Sequence, residues 1–108
     1  MTIVSERAFQ DQVVTLAHLF GWTVAHFRPA RTARGWRTPV AADGAGFPDL
    51  VLVKEGRLIC AELKSQRGKL SAAQEMWLAL LSTVPGVLAV VWKPADWDVI
   101  ASELQRGE

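Results

Sequence analysis

Asp49, Glu62 and Lys64 are the residues of this chain whose types and spacing can do chemistry together. They stand in "GFPDLVLVKEGRLICAELK", residues 46 to 64, where two runs of β-formers, Leu50 to Val53 and Leu58 to Leu63, flank a turn at Glu55-Gly56. With Glu55-Gly56 as the loop, Lys54 pairs with Arg57. Counting outward then sets Asp49 across from Glu62, with Lys64 two residues beyond on the same face. A four-residue loop gives the same pairing, whereas an odd-length loop sends the two acids to opposite faces. Carboxylates directly opposite one another destabilise a sheet unless a proton, the lysine or a divalent cation compensates. Two convergent carboxylates at a strand end beside a loop suit an oxygen-ligating Mg²⁺ site. A salt-bridged sheet edge is the alternative.

A helix earlier in the chain adds a third acid. At about 100° per residue, Glu6 falls within the arc of Phe9, Val13, Ala17 and Phe20, with Gln10 on the same side, so its carboxylate is expected to point towards the core. A solvated residue favoured by the helix dipole is the other reading. Gln74 also has two readings: Ser71-Ala72-Ala73-Gln74 fits a capping box, and a helix starting just after the Glu62 strand brings the same amide to the cleft.

The elements that must position these residues follow from pattern and punctuation. Ser5 caps a helix to about Phe20, with Gly21 as its stop, and Trp22 to Phe27 reads as a strand. Arg28 to Phe47 is a long segment without clear periodicity, a length that within compact domains is often functional. The hairpin follows, then a basic turn, a helix from Ser71 to about Val84 broken by Pro85-Gly86, and "VLAVVW", residues 87 to 92, a strand expected to be covered on both faces. A last helix spans about Trp97 to Gln105, with Asp96 as candidate cap. The order is αβββαβα, and the fourth strand is expected parallel to the third by a right-handed crossover.

The chain has 108 residues, enough for one domain over 1–108 that buries about two-thirds of its unfolded surface. A net charge of +1 argues against a purely electrostatic nucleic-acid binder, so affinity for phosphate must come from arrangement. The arrangement is present: Arg28, Arg31, Arg34 and Arg37 put four cations in ten residues, with Trp36 among them for stacking on bases. Arg67 and Lys69 form a second small basic patch after the Glu62 strand. Solvated loops are the plain alternative for both. His18 and His26 lack zinc-ligand spacing with each other or with Cys60, and Trp77 and Trp92 read as core. Trp97 packs the last helix or meets a partner subunit. A lone cysteine within an apolar strand points to a reducing compartment, and no apolar run approaches the ~18 residues of a membrane span. The expected location is the cytoplasm.

Pro48-Asp49, then Glu62-Leu63-Lys64, with a preceding helical Glu6, resemble the PD-(D/E)xK nuclease superfamily. More narrowly, "GFPDLVLV", "AELK" and "LSAAQEMWLALL" resemble the VRR-NUC family, the virus-type replication-repair nucleases, over Glu6 to about Trp92, and the small stand-alone phage or bacterial members in particular. The resemblance implies an α/β, restriction-endonuclease-like αβββαβ core with a mixed central sheet flanked by helices, here followed by a C-terminal helix. It implies Mg²⁺, with Mn²⁺ able to substitute, held by Asp49, Glu62 and the Leu63 carbonyl. Glu6 supports metal or water, Lys64 positions the attacking water, and Gln74 lines the site. It further implies a structure-selective endonuclease of replication or repair in a bacterial host cell, similar to Holliday-junction resolvases that work on branched DNA as homodimers. A nuclease for flap or linear DNA, and a non-catalytic DNA-binding module on the same fold, are the alternatives.

Overall fold

A computed structural model of the chain describes residues 4–27, 30–32, 35–37 and 40–106, with backbone alone for 30–32, 36 and 37. Helix α1 (Glu6–Leu19) starts where Ser5 Oγ accepts the Ala8 N–H at 3.1 Å. Val4 and Phe9, either side of that cap, both join the core as a hydrophobic staple. Strand β1 (Thr23–His26) follows, then the short strands β2 (Ala30–Thr32) and β3 (Gly35–Arg37), which pair antiparallel as a separate two-stranded sheet. This hairpin lies inside the stretch expected to be irregular. Its three-residue strands are too short to show a period of two in the sequence.

Strands β4 (Leu50–Lys54) and β5 (Arg57–Leu63) form the expected hairpin, with Lys54 paired to Arg57. Glu55 and Gly56 both have positive φ, 47° and 81°, as a two-residue type I′ turn requires. Helix α2 (Ala72–Ser82) carries the chain to β6 (Val87–Trp92), which pairs parallel with β5. A 3₁₀ turn (Pro94–Asp96) leads into α3 (Trp97–Gln105). Asp96 does not cap α3 with its side chain; its carboxylate instead accepts the Lys93 N–H at 2.9 Å and closes the 3₁₀ turn.

The main sheet has the order β1-β4-β5-β6 and is mixed, so the fold is α/β with the αβββαβ core and a C-terminal helix. Phe9, Val13 and Ala17 of α1, Ile100 and Leu104 of α3, and Trp22 pack on Leu50, Leu52, Ile59, Ala61, Leu63 and Trp92. Alternation along β5 turns Cys60 and Glu62 to the opposite face, from which α2 reaches Glu62. Helix α3 is tied down by Trp22, whose indole N–H donates to the Leu104 carbonyl at 2.8 Å. Arg57 adds an ion pair with Glu103, a hydrogen bond to the Arg106 carbonyl and stacking over the Trp22 ring.

One expectation about β6 is corrected. Its uninterrupted apolar sequence suggests cover on both faces, but β6 is an edge strand, largely half-buried, with Leu88 exposed.

Candidate active site

The hairpin register places the acids. Its last ladder pair is Leu50 with Ala61, so the next position outward sets Asp49 opposite Glu62. Asp49 is held at both its backbone and its side chain: its carbonyl accepts the Phe27 N–H at 2.9 Å, and Oδ2 accepts the Leu63 N–H at 2.9 Å. The carboxylate thus takes over a backbone donor where the ladder ends.

Glu62 is the buried charged side chain of the described residues, 2% exposed. Oε2 accepts a hydrogen bond from Gln74 Nε2 at 3.1 Å, while Oε1 is buried with no hydrogen-bond partner. Its carboxyl is pushed up to about 9, first by burial and then by the adjoining Asp49 carboxylate, with a smaller upward push from Glu6 and an opposing pull from Lys64. A buried carboxylate with a spare oxygen beside a second acid must hold a proton or a cation.

Gln74 meets both of its readings at once. Its Oε1 accepts the Ser71 N–H at 2.8 Å, completing the capping box with Ser71 Oγ, and its amide nitrogen donates to Glu62. An amide has an acceptor at one end and donors at the other, so the cap orients the donor towards the site.

The segment before Asp49 is pressed onto α2. Gly46 has φ +85°, and a Cβ there would lie 2.6 Å from the carbonyl carbon and Cβ of Ala73, the residue before Gln74. Trp77 donates its indole N–H to the Asp43 carbonyl at 2.9 Å and stacks edge-on against Phe47, which does the same with Phe27. Trp77 is therefore a half-buried clamp on this segment rather than a core residue.

Glu6 departs from its expected orientation. The helical arc is buried from Phe9 onward, but Glu6, one turn earlier, is exposed and reaches Glu62 only through its charge. Among the described residues no three His, Cys, Asp or Glu side chains come together as a metal-ligand group. The carboxylates on hand are two, Asp49 and Glu62. They fit Mg²⁺, which commonly takes one or two carboxylates and completes its shell with water and phosphate oxygen.

Lys64 extends β5, its N–H donating to the Trp92 carbonyl at 3.0 Å, and is half-buried; Arg67 and Lys69 are exposed on the following turn. Arg28 and Arg34 lie outside the described residues. Arg31 sits on β2, and Trp36 and Arg37 on β3, in backbone only. Cys60 is buried, and burial pushes its thiol up.

The chain matches the VRR-NUC domain over residues 3–93. It belongs to the VRR-NUC family. Comparison with curated proteins finds no match. The VRR-NUC match covers Asp49, Glu62, Lys64 and Gln74, and membership makes the chain a nuclease-type, DNA-processing domain. No helix among the described residues is long and apolar enough to cross a membrane.

Lys93 was not singled out from the sequence. It stands immediately after β6 on extended backbone, φ −124° and ψ 162°, next to the end of β5. A lysine directly after an apolar strand looks like an ordinary solvated strand end, and only the pairing of β6 with β5 brings it near the site.

Proposed function

We propose that this VRR-NUC protein is a Mg²⁺-dependent endodeoxyribonuclease that hydrolyses phosphodiester bonds in branched DNA, in the manner of a Holliday-junction resolvase. The observation that carries the proposal is the buried Glu62 carboxylate, with one unpartnered oxygen, beside Asp49. Binding DNA alone favours few acids near phosphate, and a carboxyl this deeply buried is costly unless its charge is used.

Asp49, Glu62 and the Leu63 carbonyl would hold the cation, with the exposed Glu6 at its periphery. When bound, the cation polarises the phosphoryl oxygens and lowers the pKa of water. The chain's own residues do the rest. Gln74 Nε2 fixes the Glu62 carboxylate in one orientation, and the Leu63 N–H does the same for Asp49. Lys64 orients the attacking water and offsets charge on the phosphate, while Arg67 and Lys69 bind the flanking backbone. Arg28, Arg31, Arg34 and Arg37 supply cations for further phosphates, with Trp36 available to unpaired bases.

A homodimer is part of this proposal, since two related strands of a four-way junction call for two symmetric sites. Met76 to Trp92 contains no charged residue, and Met76, Leu80, Val84 and Leu88 are exposed along it. A second copy carries the same charges, so an uncharged face is where two copies meet without repulsion. Edge strand β6 has no lysine or proline to block pairing with its twin.

The test is Asp49→Asn on a panel of four-way, flap, nicked and linear DNA in Mg²⁺. Parent protein is expected to cut the four-way substrate by preference. The variant is expected to bind that DNA while cutting at least ~10²-fold more slowly, in line with loss of a principal electrostatic group. Undiminished cleavage by the variant would sink the assignment, preferential cutting of flap or linear DNA would move the substrate class, and binding without metal-dependent cleavage by the parent would leave a DNA-binding module.

A further inference from the structure

We propose that Lys93 is a second phosphate-binding lysine of the site, paired side by side with Lys64 across the ends of β5 and β6, and gripping the DNA backbone phosphate next to the scissile one. The inference rests on the nuclease reading above.

The register is the first support. Leu63 is in register with Trp92, and the bond from the Lys64 N–H to the Trp92 carbonyl carries the parallel ladder one step further, so Lys64 and Lys93 are neighbours. The extended backbone of Lys93 continues the alternation of β6. Leu63 and Trp92 are both buried in the core on one face, so Glu62, Lys64, Val91 and Lys93 share the other. Adjacent strands lie about 4.8 Å apart, which sets two ammonium stems within reach of consecutive phosphates.

The surroundings are the second support. Like charges on neighbouring strands repel, and this arrangement is stable when an anion lies between them. Asp96, the acid nearest in sequence, is engaged by the Lys93 backbone N–H, and Lys93 makes no ion pair among the described residues. The 3₁₀ turn after Lys93 is fastened to the basic turn after Lys64 by the Ala95 N–H donating to Gln66 Oε1 at 2.9 Å. Lys64, Arg67, Lys69 and Lys93 therefore stand on two linked turns at the carboxyl ends of two parallel strands, the end at which open α/β sheets bind ligands.

The test uses Asp49→Asn protein, which binds without cutting, and follows four-way DNA by fluorescence anisotropy between 50 and 200 mM salt. Adding Lys93→Gln is expected to weaken binding about 3- to 10-fold and to reduce the slope of log K against log salt by about 0.9, the loss of one phosphate contact. Lys93→Arg is expected to restore most of both. In otherwise native protein, Lys93→Gln is expected to raise KM more than it lowers kcat, the reverse of Lys64→Gln. Equal thermal melts of the parent and Lys93→Gln show that folding is intact. Unchanged affinity and slope, or a loss in kcat alone, would overturn the proposal while the Asp49→Asn result stands. A parent protein that neither binds nor cuts DNA would instead overturn the nuclease reading, and this inference with it.

Discussion

Glu62 shows how a single residue reports on its site. Its carboxyl is pushed to about 9 from an ordinary value near 4.5, with burial as the first cause and Asp49 as the second. The folded state therefore prefers the protonated form. In metal-free protein the resulting stabilisation is fully present below about pH 4.5 and is lost as pH rises towards 9. Thermal melts in chelator are expected to show parent protein losing stability relative to Glu62→Gln across that interval, because the amide does not ionise. Added Mg²⁺ is expected to restore parent stability at the alkaline end and to leave Glu62→Gln unchanged. A parent that gains stability with pH relative to the variant would contradict the assignment. Glu6 teaches the converse lesson: its place in the helical arc was legible, but a wheel says nothing about where the covered length of a helix begins, and Glu6 lies before it.

At the scale of elements, the site is made by two that are held together without covalent proximity. The Gly46 segment brings Asp49, and α2 brings Gln74; they touch where Gly46 meets Ala73. A methyl group at Gly46 meets the helix backbone and also forces a left-handed φ on alanine. Gly46→Ala is expected to cost on the order of 1–3 kcal/mol by strain and overpacking, lowering Tm by several degrees for a chain of this size. Gly56→Ala is the control, since its φ is +81° but nothing lies within 4 Å of the added Cβ. Its cost is expected to be about 1 kcal/mol, and equal melting losses at the two positions would show that the contact with α2 carries no weight. The register of the hairpin and the caps at Ser5 and Ser71 were legible from the sequence, though the Asp96 cap was not borne out; what Gly46 touches was not legible, because Ala73 is reached only after two strands and a turn have been laid down.

For the whole molecule, the unusual quantity is the distribution of charge rather than its sum. Net charge is +1, yet Met76 to Trp92 carries none, and α2 has no fully buried residue despite its apolar composition. An apolar helix and edge strand left half-covered point to the second copy proposed above. Leu88→Glu and Leu80→Glu change exposed positions, so the chain is expected to stay folded while sedimentation shifts from dimer to monomer. Parent and variants of equal mass would remove this face as the interface.

The helix starts at Ser5 and Ser71 and a turn around Glu55-Gly56 are written in local residues, and Asp49 faces Glu62 on condition that the loop has an even length, which the two-residue turn meets. These depend on neighbours within a turn or along one hairpin, where covalent connection supplies the geometry. The tertiary structure decided that Glu62 is buried with a spare oxygen, that Glu6 is not, that the apolar strand β6 is an edge, and that Lys93 stands beside Lys64. Each of these depends on which distant segment covers or adjoins a residue, and burial and register between remote elements are set by the packing of the whole chain.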